Sequence, residues 1–180
     1  MQPLLIQLSR IFQSIFPLRP FRMYRRGRPA RDNFVPGEVL YRRHRRTDTK
    51  NGVILPSALQ FPKKTENTGQ SVNRSSFSKP EDVLWTPKGR QHGFGVFQFP
   101  VSCLPASLTC RESGRRFTFF PKHVPLWNNY AHSEVWCDEI PGKNQGYVLP
   151  TSVVKKEVRA TIQKHSRIVI AADVAETGLP

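Results

Sequence analysis

The sequence has little cysteine, few acidic residues and no long hydrophobic run, and each shortage excludes a class of protein. No apolar stretch approaches the ~20 residues that a membrane-spanning helix needs, so we do not expect an integral membrane protein. The three cysteines, Cys103, Cys110 and Cys137, are too few for a disulfide scaffold, and their number is odd. They suit a reducing compartment as buried thiols, and we expect a cytoplasmic protein.

Acidic residues are scarce beside basic ones. The chain has 13 Asp and Glu against 28 Lys and Arg, a formal net charge of +15 over 180 residues. Residues 1–50 alone hold 12 basic residues against 3 acidic ones, a net of +9. Because arginine keeps its charge and grips phosphate with two parallel hydrogen bonds, this pattern favours a polyanionic partner. Nucleic acid is the first choice, and an anionic membrane surface or a solvated arm without a partner are the alternatives.

The basic residues fall into two clusters, and a single arginine lies further along the chain. Within the first cluster, residues 10–31 contain seven arginines and no acid, and the second cluster occupies residues 42–46. The predicted phosphate-binding or nucleic-acid-binding residues are Arg22, Arg25, Arg26, Arg28, Arg42, Arg43, Arg45, Arg46 and Arg74.

The first 33 residues are predicted to be an amphipathic helix followed by a basic linker. Apolar side chains recur on one helical face over residues 3–16, and Pro17 and Pro20 end the pattern. Such a helix before an arginine-rich, acid-poor linker is typical of an organellar presequence or of a peripheral membrane anchor. It is equally typical of a segment that docks on the domain or on a partner protein. Organellar import and peripheral membrane association are therefore alternatives to a cytoplasmic location.

Residues 34–173 are predicted to form one compact α+β domain, mostly an antiparallel sheet with few helices, and residues 174–180 to be a frayed tail. Runs of β-branched and aromatic residues indicate the strands. Apolar residues at helical spacing from Val153 to Ile162, behind a cap at Thr151 or Ser152, indicate the main helix. We predict strands at 38–41, 52–55, 93–102, 115–121, 132–138, 146–149 and 167–171, a loop at 56–78, a short helix capped at Ser78, and the main helix up to 165.

Residues 92–99, HGFGVFQF, look like the third-strand signature of the RNA-recognition motif, whose exposed rings stack on bases. Phe94 and Phe99 match that signature. Val96 and Phe97 are transposed, and because side chains alternate along a strand, the transposition turns the Phe97 ring into the core. The partner strand expected upstream is missing as well, so we favour a buried core strand.

His132 and Glu134 are candidate catalytic residues. His-x-Glu resembles the zinc deaminase signature, but no Pro-Cys-x-x-Cys follows, so that interpretation is discarded. A metal held by His123, His132 and Glu134 is conceivable, yet Cys137 would point away from it, and we predict no cofactor. Acid–base catalysis by the pair stays open beside an ordinary His–carboxylate hydrogen bond, which we favour.

A phosphate pocket is a further candidate, in residues 71–76, SVNRSS, ahead of the helix start at Ser78. Backbone amides at a helix start, together with Arg74 and nearby hydroxyls, suit an anion. Combined with His132 and Glu134, the segment outlines a nucleotide- or NAD-using transferase or hydrolase, although only by analogy.

The layout of these segments resembles a group of small uncharacterised bacterial proteins. The resemblance rests on LYR at 40–42, SVNR at 71–74, SKPEDVL at 78–84 and NYAHSE at 129–134, and it spans about residues 38–165. It implies no activity, because the group has none established. It also weakens the interpretation of the N-terminus as a eukaryotic presequence.

We therefore expect a small basic protein that associates with RNA or DNA, mainly through phosphate contacts of residues 10–46. The first alternative is the transferase or hydrolase with a site near Arg74 and His132/Glu134, so whether the protein is an enzyme stays open. The second alternative is a module that docks on a membrane or a partner protein through residues 3–16. The oligomeric state is not predicted.

Overall fold

The computed structural model describes residues 23–35, 37–61, 69–86, 89–140 and 148–173. It has one α-helix in this part of the chain, α1, Ser152–His165. The strands are β1 Val39–Arg45, β2 Thr49–Lys50, β3 Val53–Ile54, β4 Gln70–Arg74, β5 Trp85–Thr86, β6 Gly89–Arg90, β7 Phe94–Pro100, β8 Leu108–Thr109, β9 Arg116–His123, β10 His132–Ile140 and β11 Arg167–Ile170. Short 3-10 helices cover Arg46–Asp48, Pro56–Leu59, Pro80–Leu84 and Val101–Cys103.

Seven strands form one curled antiparallel sheet in the order β11-β7-β1-β4-β10-β9-β8. The hairpins β2–β3 and β5–β6 lie outside that sheet. Strands that are neighbours in the sheet are often distant in sequence: β4 lies between β1 and β10, and β11 pairs with β7. The expected α+β fold with a mostly antiparallel sheet is confirmed.

Helix α1 covers the apolar face of the sheet. The side chain of Thr151 accepts a hydrogen bond from the Val154 amide, which satisfies one of the free N–H groups at the helix start. Val154, Val158 and Ile162 are fully buried in one cluster with aromatic and aliphatic residues of the sheet, among them Phe97. Full burial of each such side chain contributes about 1.5–3 kcal/mol, so this face of the helix anchors the core. The predicted helix is confirmed.

Strand β7, whose sequence is rich in aromatic and β-branched residues, lies between β1 and β11. Gly95 makes this position possible, because a Cβ there would collide with the carbonyl of Ile170 on β11 and with the ring of His44 on β1. The close approach of the Gly95 backbone to the backbone at and just after the end of β11 and to the His44 ring therefore needs glycine. The turn ahead of β3 has Asn51 and Gly52 at positive φ, as a two-residue hairpin requires.

The prediction of a loop over 56–78 is wrong, because the segment contains a 3-10 helix and the central strand β4. Strand β4 buries Gln70, Asn73 and Arg74 beside Val72, so most of its buried side chains are polar and the usual hydrophobic signal of a strand is missing. Asn73 and Arg74 are stabilised by partners from distant segments, Asn129 and Glu38, which local sequence does not reveal.

Two smaller predictions also differ from the structure. The short helix expected from Ser78 is a 3-10 helix that begins at Pro80, and its first turn is capped by Asp82, whose carboxylate accepts from the Lys79 amide at 2.9 Å. In the strand predicted at 146–149, residues 148–149 are not in a strand, and the other two lie outside the described residues. The remaining predicted strands are present within a few residues of their expected bounds.

The predicted N-terminal helix at 3–16, Arg22 and the tail at 174–180 lie outside the described residues. Residues 23–35, in contrast, pack on the domain: the Tyr130 amide donates to the carbonyl of Met23, and the Tyr130 hydroxyl donates to that of Pro29. Within the described ranges, no helix is both long and apolar enough to cross a membrane. All three cysteines are buried as free thiols, as expected.

Candidate functional site

A groove opens beside β1, where β1 and β4 separate. The two strands pair over two positions that end at Tyr41↔Asn73, whereas β1 stays paired with β7 as far as Arg45↔Phe94. The separation leaves a cavity of about 670 Å³, which we call the β1–β4 groove. Its lining combines basic, aromatic, amide and hydroxyl side chains, including Tyr41, Arg42, Arg43, Arg45, Ser71, Asn73, Trp85, Phe94, Asn129 and His132.

Arg43 and Arg45 are the exposed cations of the β1–β4 groove. They lie two residues apart on one strand and therefore project on the same side. Their guanidinium carbons are 5.8 and 5.9 Å from the centroid of the Phe94 ring. The salt bridges found in the described ranges involve neither arginine, and the nearby Asp48 carboxylate accepts from the backbone amide of Arg45 instead. Two cations beside one ring thus keep positive charge available to an anionic ligand.

Arg42 bridges the gap between the separated strands. Its Nε donates to the Ala58 carbonyl at 3.0 Å and its Nη1 to the Ser71 carbonyl at 2.7 Å. Burial and, to a smaller extent, the charge of Arg43 lower the pKa of Arg42 to about 10, with Asp48 partly opposing the shift. The guanidinium therefore stays charged at neutral pH and adds a third positive group to the groove.

The other described arginines that were predicted in the N-terminal region lie outside the groove lining. Arg46 begins the 3-10 helix after β1 and is exposed. Arg25, Arg26 and Arg28 belong to the packed segment 23–35, and the Arg28 guanidinium lies 3.7 Å from the centroid of the Tyr130 ring. The structure thus brings Arg42, Arg43 and Arg45 together, places Arg25, Arg26, Arg28 and Arg46 outside the groove lining, and does not describe Arg22.

Arg74 does not line the groove, since it is 1% exposed. Its guanidinium donates to both carboxylate oxygens of Glu38 at 2.8 Å and to the backbone carbonyls of Arg31 and Asn33. It also lies 3.8 Å from the centroid of the Phe34 ring. Arg74 thus links residues 31–34 to the sheet. Its guanidinium donors bond to groups of the protein itself, so it does not form the phosphate pocket that the sequence predicts around it.

Glu38 is the buried carboxylate that balances Arg74. Burial by itself would raise its pKa, but the hydrogen bonds from Arg74 and Ser76 and the charge of Arg74 outweigh burial, and the pKa lies below its ordinary value. The pair is therefore ionised at neutral pH and shielded from solvent.

His132 and Glu134 have different partners. The Glu134 carboxylate accepts from the Gly69 amide at 2.7 Å and from the indole N–H of Trp136 at 2.9 Å, and it is buried. The His132 ring contacts the Ser71 hydroxyl through Nε2 at 3.0 Å and the Val124 carbonyl through Nδ1 at 2.7 Å. The His132–Glu134 hydrogen bond that the sequence favours is thus absent between these side chains, and so is the contact that acid–base catalysis by the pair would need, although His132 lines the groove.

His123 is buried in the interior, where both of its ring nitrogens have partners. Its Nδ1 accepts from the Arg31 amide at 2.8 Å, and its Nε2 lies 2.6 Å from the Tyr130 carbonyl. Burial lowers its pKa, the charge of Arg74 acts in the same direction, and the Tyr130 carbonyl partly opposes the shift. Across the described residues, no group of three or more His, Cys, Asp or Glu side chains is placed to hold a metal ion.

Phe97 lies in the core, as its transposition predicts, and of the two rings that match the signature only Phe94 is accessible. Phe97 and Phe99 are fully buried in the core, whereas Phe94 is half-buried and lines the groove. One ring of the motif is therefore placed to meet a ligand, instead of the pair that an RNA-recognition motif presents.

Asn129 is a groove residue that sequence reasoning missed. It is 8% exposed, and its Nδ2 donates to Asn73 Oδ1 at 2.9 Å, while its own Oδ1 has no hydrogen-bond partner in the described part of the chain. Exchanging the amide O and N atoms of both residues would instead leave a donor unpaired. Either way, a buried polar atom at the groove wall lacks a partner, which is costly unless a ligand or water satisfies it. No local signal marks this asparagine, because its role depends on Asn73, a distant residue.

No protein-family model, no curated protein and no solved structure matches this chain. The resemblance to the small bacterial proteins accordingly stays a prediction. Function must be argued from the geometry of the groove.

Proposed function

We propose that the protein binds a nucleic acid and holds an unpaired segment of it in the β1–β4 groove. One observation supports the proposal most directly: the guanidinium groups of Arg43 and Arg45 lie near the Phe94 ring inside a groove. Neither arginine takes part in a salt bridge found in the described ranges. Arginine matches phosphate geometry, and an aromatic ring offers a stacking surface for a base. A groove that combines both groups suits a chain of alternating phosphates and bases.

The shape of the groove favours a single strand over a duplex. Its volume of about 670 Å³ lies within the ~300–1,000 Å³ range of small-ligand sites, enough for a nucleotide or two. Tyr41, Trp85 and Phe94 lie within the concave lining rather than on a flat surface. In a duplex the faces of the bases are covered by stacking on neighbouring bases. Aromatic rings inside a cavity can therefore stack only on unpaired bases.

The unpaired amide of Asn129 fits the edge of a base. Its Oδ1 can accept from an amino or imino group, and its partner Asn73 lines the same groove. The backbone phosphates would then lie on the arginines of β1, so this part of the groove would add a modest base preference to binding that is mainly electrostatic.

The proposal is tested by fluorescence anisotropy of labelled oligonucleotides at a series of salt concentrations. We expect single-stranded RNA or DNA to bind more tightly than a duplex of the same sequence. Each phosphate contact contributes about 0.7 to the slope of log K against log salt for a single strand, so Arg43→Gln with Arg45→Gln should reduce that slope by about 1.4.

The matched control is the double variant Arg111→Gln with Arg116→Gln. It removes the same charge from exposed positions that do not line the groove. Its salt slope should stay closer to that of the unmodified protein. Equal loss of slope in both double variants would mean that only net charge matters and would refute a specific role for the groove.

A further inference from the structure

Ser71 and His132 meet on the wall of the β1–β4 groove. Ser71 lies on β4 and His132 at the start of β10, and the two strands are paired so that the residues are diagonal neighbours. The Ser71 hydroxyl oxygen is 3.0 Å from His132 Nε2, and the Ser71 residue is exposed. Both side chains line the cavity, so a ligand in the groove reaches the hydroxyl.

The second nitrogen of the ring determines what His132 does to Ser71. Nδ1 is 2.7 Å from the Val124 carbonyl, which can only accept, so Nδ1 carries the proton. In the neutral imidazole, Nε2 then has a lone pair and accepts from the Ser71 O–H. A hydroxyl that donates to a histidine, whose other nitrogen is held by an acceptor, is the arrangement of an activated serine nucleophile.

Positively charged side chains line the same groove as this hydroxyl, and one of them contacts the Ser71 backbone. Arg42 Nη1 is 2.7 Å from the carbonyl oxygen of Ser71 itself, and Arg43 lines the same groove. Guanidinium groups stabilise the negative charge that develops on a phosphoryl group under attack. These arginines therefore favour a phosphate ester over a neutral ester as the group that the Ser71 hydroxyl attacks.

We propose that Ser71 and His132 form a nucleophile–base dyad that cleaves a phosphodiester of the bound strand. Ser71 Oγ attacks phosphorus while its proton passes to His132 Nε2. The new Oγ–P bond forms as the P–O bond to one nucleoside breaks, and His132 returns the proton to the departing oxygen. A water molecule then attacks the phosphorus of this serine–nucleotide diester. The proton of the water passes to His132 and from there to Ser71 Oγ as the Oγ–P bond breaks, which releases the second product and restores Ser71.

The dyad rests on the proposed function for its substrate, but the activation of the serine is measurable without any nucleic acid. A fluorophosphonate probe reacts with activated serines, forming an Oγ–P bond and releasing fluoride. We expect the full-length protein to be labelled at Ser71, identified by peptide mass spectrometry. Ser71→Ala should remove the label, and His132→Asn should lower it at least tenfold, since asparagine can keep a donor for Val124 but offers no base to Ser71.

Ser102→Ala is the matched control, because Ser102 is an exposed serine outside the groove lining for which the described residues provide no histidine partner. This variant should be labelled like the unmodified protein. Thermal melting of all three variants verifies that they fold. Labelling that is absent from the unmodified protein, or that persists in Ser71→Ala, overturns the dyad.

A second arm uses an end-labelled single-stranded oligonucleotide and separates the two proposals. Cleavage, or an adduct stable to denaturant, in the unmodified protein but not in Ser71→Ala supports the dyad. Binding by anisotropy without cleavage, adduct or probe labelling overturns the dyad and leaves the proposed function standing. Probe labelling at Ser71 without oligonucleotide binding supports the activated serine and overturns both the nucleic-acid function and the phosphodiester substrate.

Discussion

Two groups of arginines in this protein show how neighbours determine what a charge does. Arg74 is enclosed by a carboxylate, two backbone carbonyls and an aromatic ring, and it is almost fully buried. Arg43 and Arg45 are exposed beside one ring, at the groove formed where β1 leaves β4. Removing a partner of Arg74 should therefore change stability, and removing the groove arginines should change binding.

The largest expected effect comes from breaking the buried pair. Glu38→Gln leaves the Arg74 guanidinium buried without its counter-charge, and we expect the free energy of unfolding to fall by about 3–5 kcal/mol. Urea denaturation followed by circular dichroism measures it. Glu139→Gln is the control, because it breaks the exposed pair with Arg115, which is worth about 0–1 kcal/mol. Equal losses in the two variants would contradict the burial argument.

Acid should weaken the same buried pair. Because the pKa of Glu38 is lowered in the folded protein, its stabilising contribution is present above the ordinary value of 4.5 and is lost as pH falls below it. Urea midpoints measured between pH 7 and pH 3 should thus fall less steeply for Glu38→Gln than for the unmodified protein. Identical pH profiles would show that Glu38 is not the group responsible.

Next in size is the weaker binding expected when the groove cations are removed. Arg43→Gln with Arg45→Gln leaves two phosphates without a guanidinium partner. At a slope of about 0.7 per phosphate, single-strand binding should weaken roughly 25-fold at 0.1 M salt. The free energy of unfolding should change by no more than about 0.5 kcal/mol, because both side chains are exposed. A large loss of stability in this double variant would contradict the claim that Arg43 and Arg45 act in binding whereas Arg74 acts in stability.

The smallest effect separates stacking from charge within the groove. Phe94→Leu keeps apolar volume but removes the ring, so affinity for a single strand should fall about fivefold, or roughly 1 kcal/mol. The salt slope should not change, since no charge is lost. A changed slope with full affinity would mean that Phe94 acts by positioning Arg43 and Arg45 rather than by stacking.

The elements that sequence predicted correctly are those whose apolar pattern is local. Helix α1 shows its buried face at helical spacing, and β7 is rich in aromatic and β-branched residues. Strand β4 was missed because its buried side chains are largely polar. The partner of Arg74 lies 36 residues away, so sequence could not separate this arginine from those at 42–46.

The groove itself is a property of the tertiary structure. The basic cluster at 42–46 was recognised as a candidate binding region, but its meeting with Trp85, Asn129 and Ser71 depends on where β1 leaves β4. Similarly, the sequence predicts His132 as a candidate site residue but with Glu134, two positions along the strand, as its partner. In the structure its partner is Ser71 on the neighbouring strand. Strand register determines such pairs, and local patterns do not report it.

Ultraviolet crosslinking locates the bound strand most directly. The full-length protein is irradiated with a single-stranded oligonucleotide, and the crosslinked peptides are identified by mass spectrometry. We predict crosslinks at Tyr41, Trp85 or Phe94, the rings that line the β1–β4 groove. Crosslinks confined to peptides outside the groove, such as residues 23–31, would contradict the account.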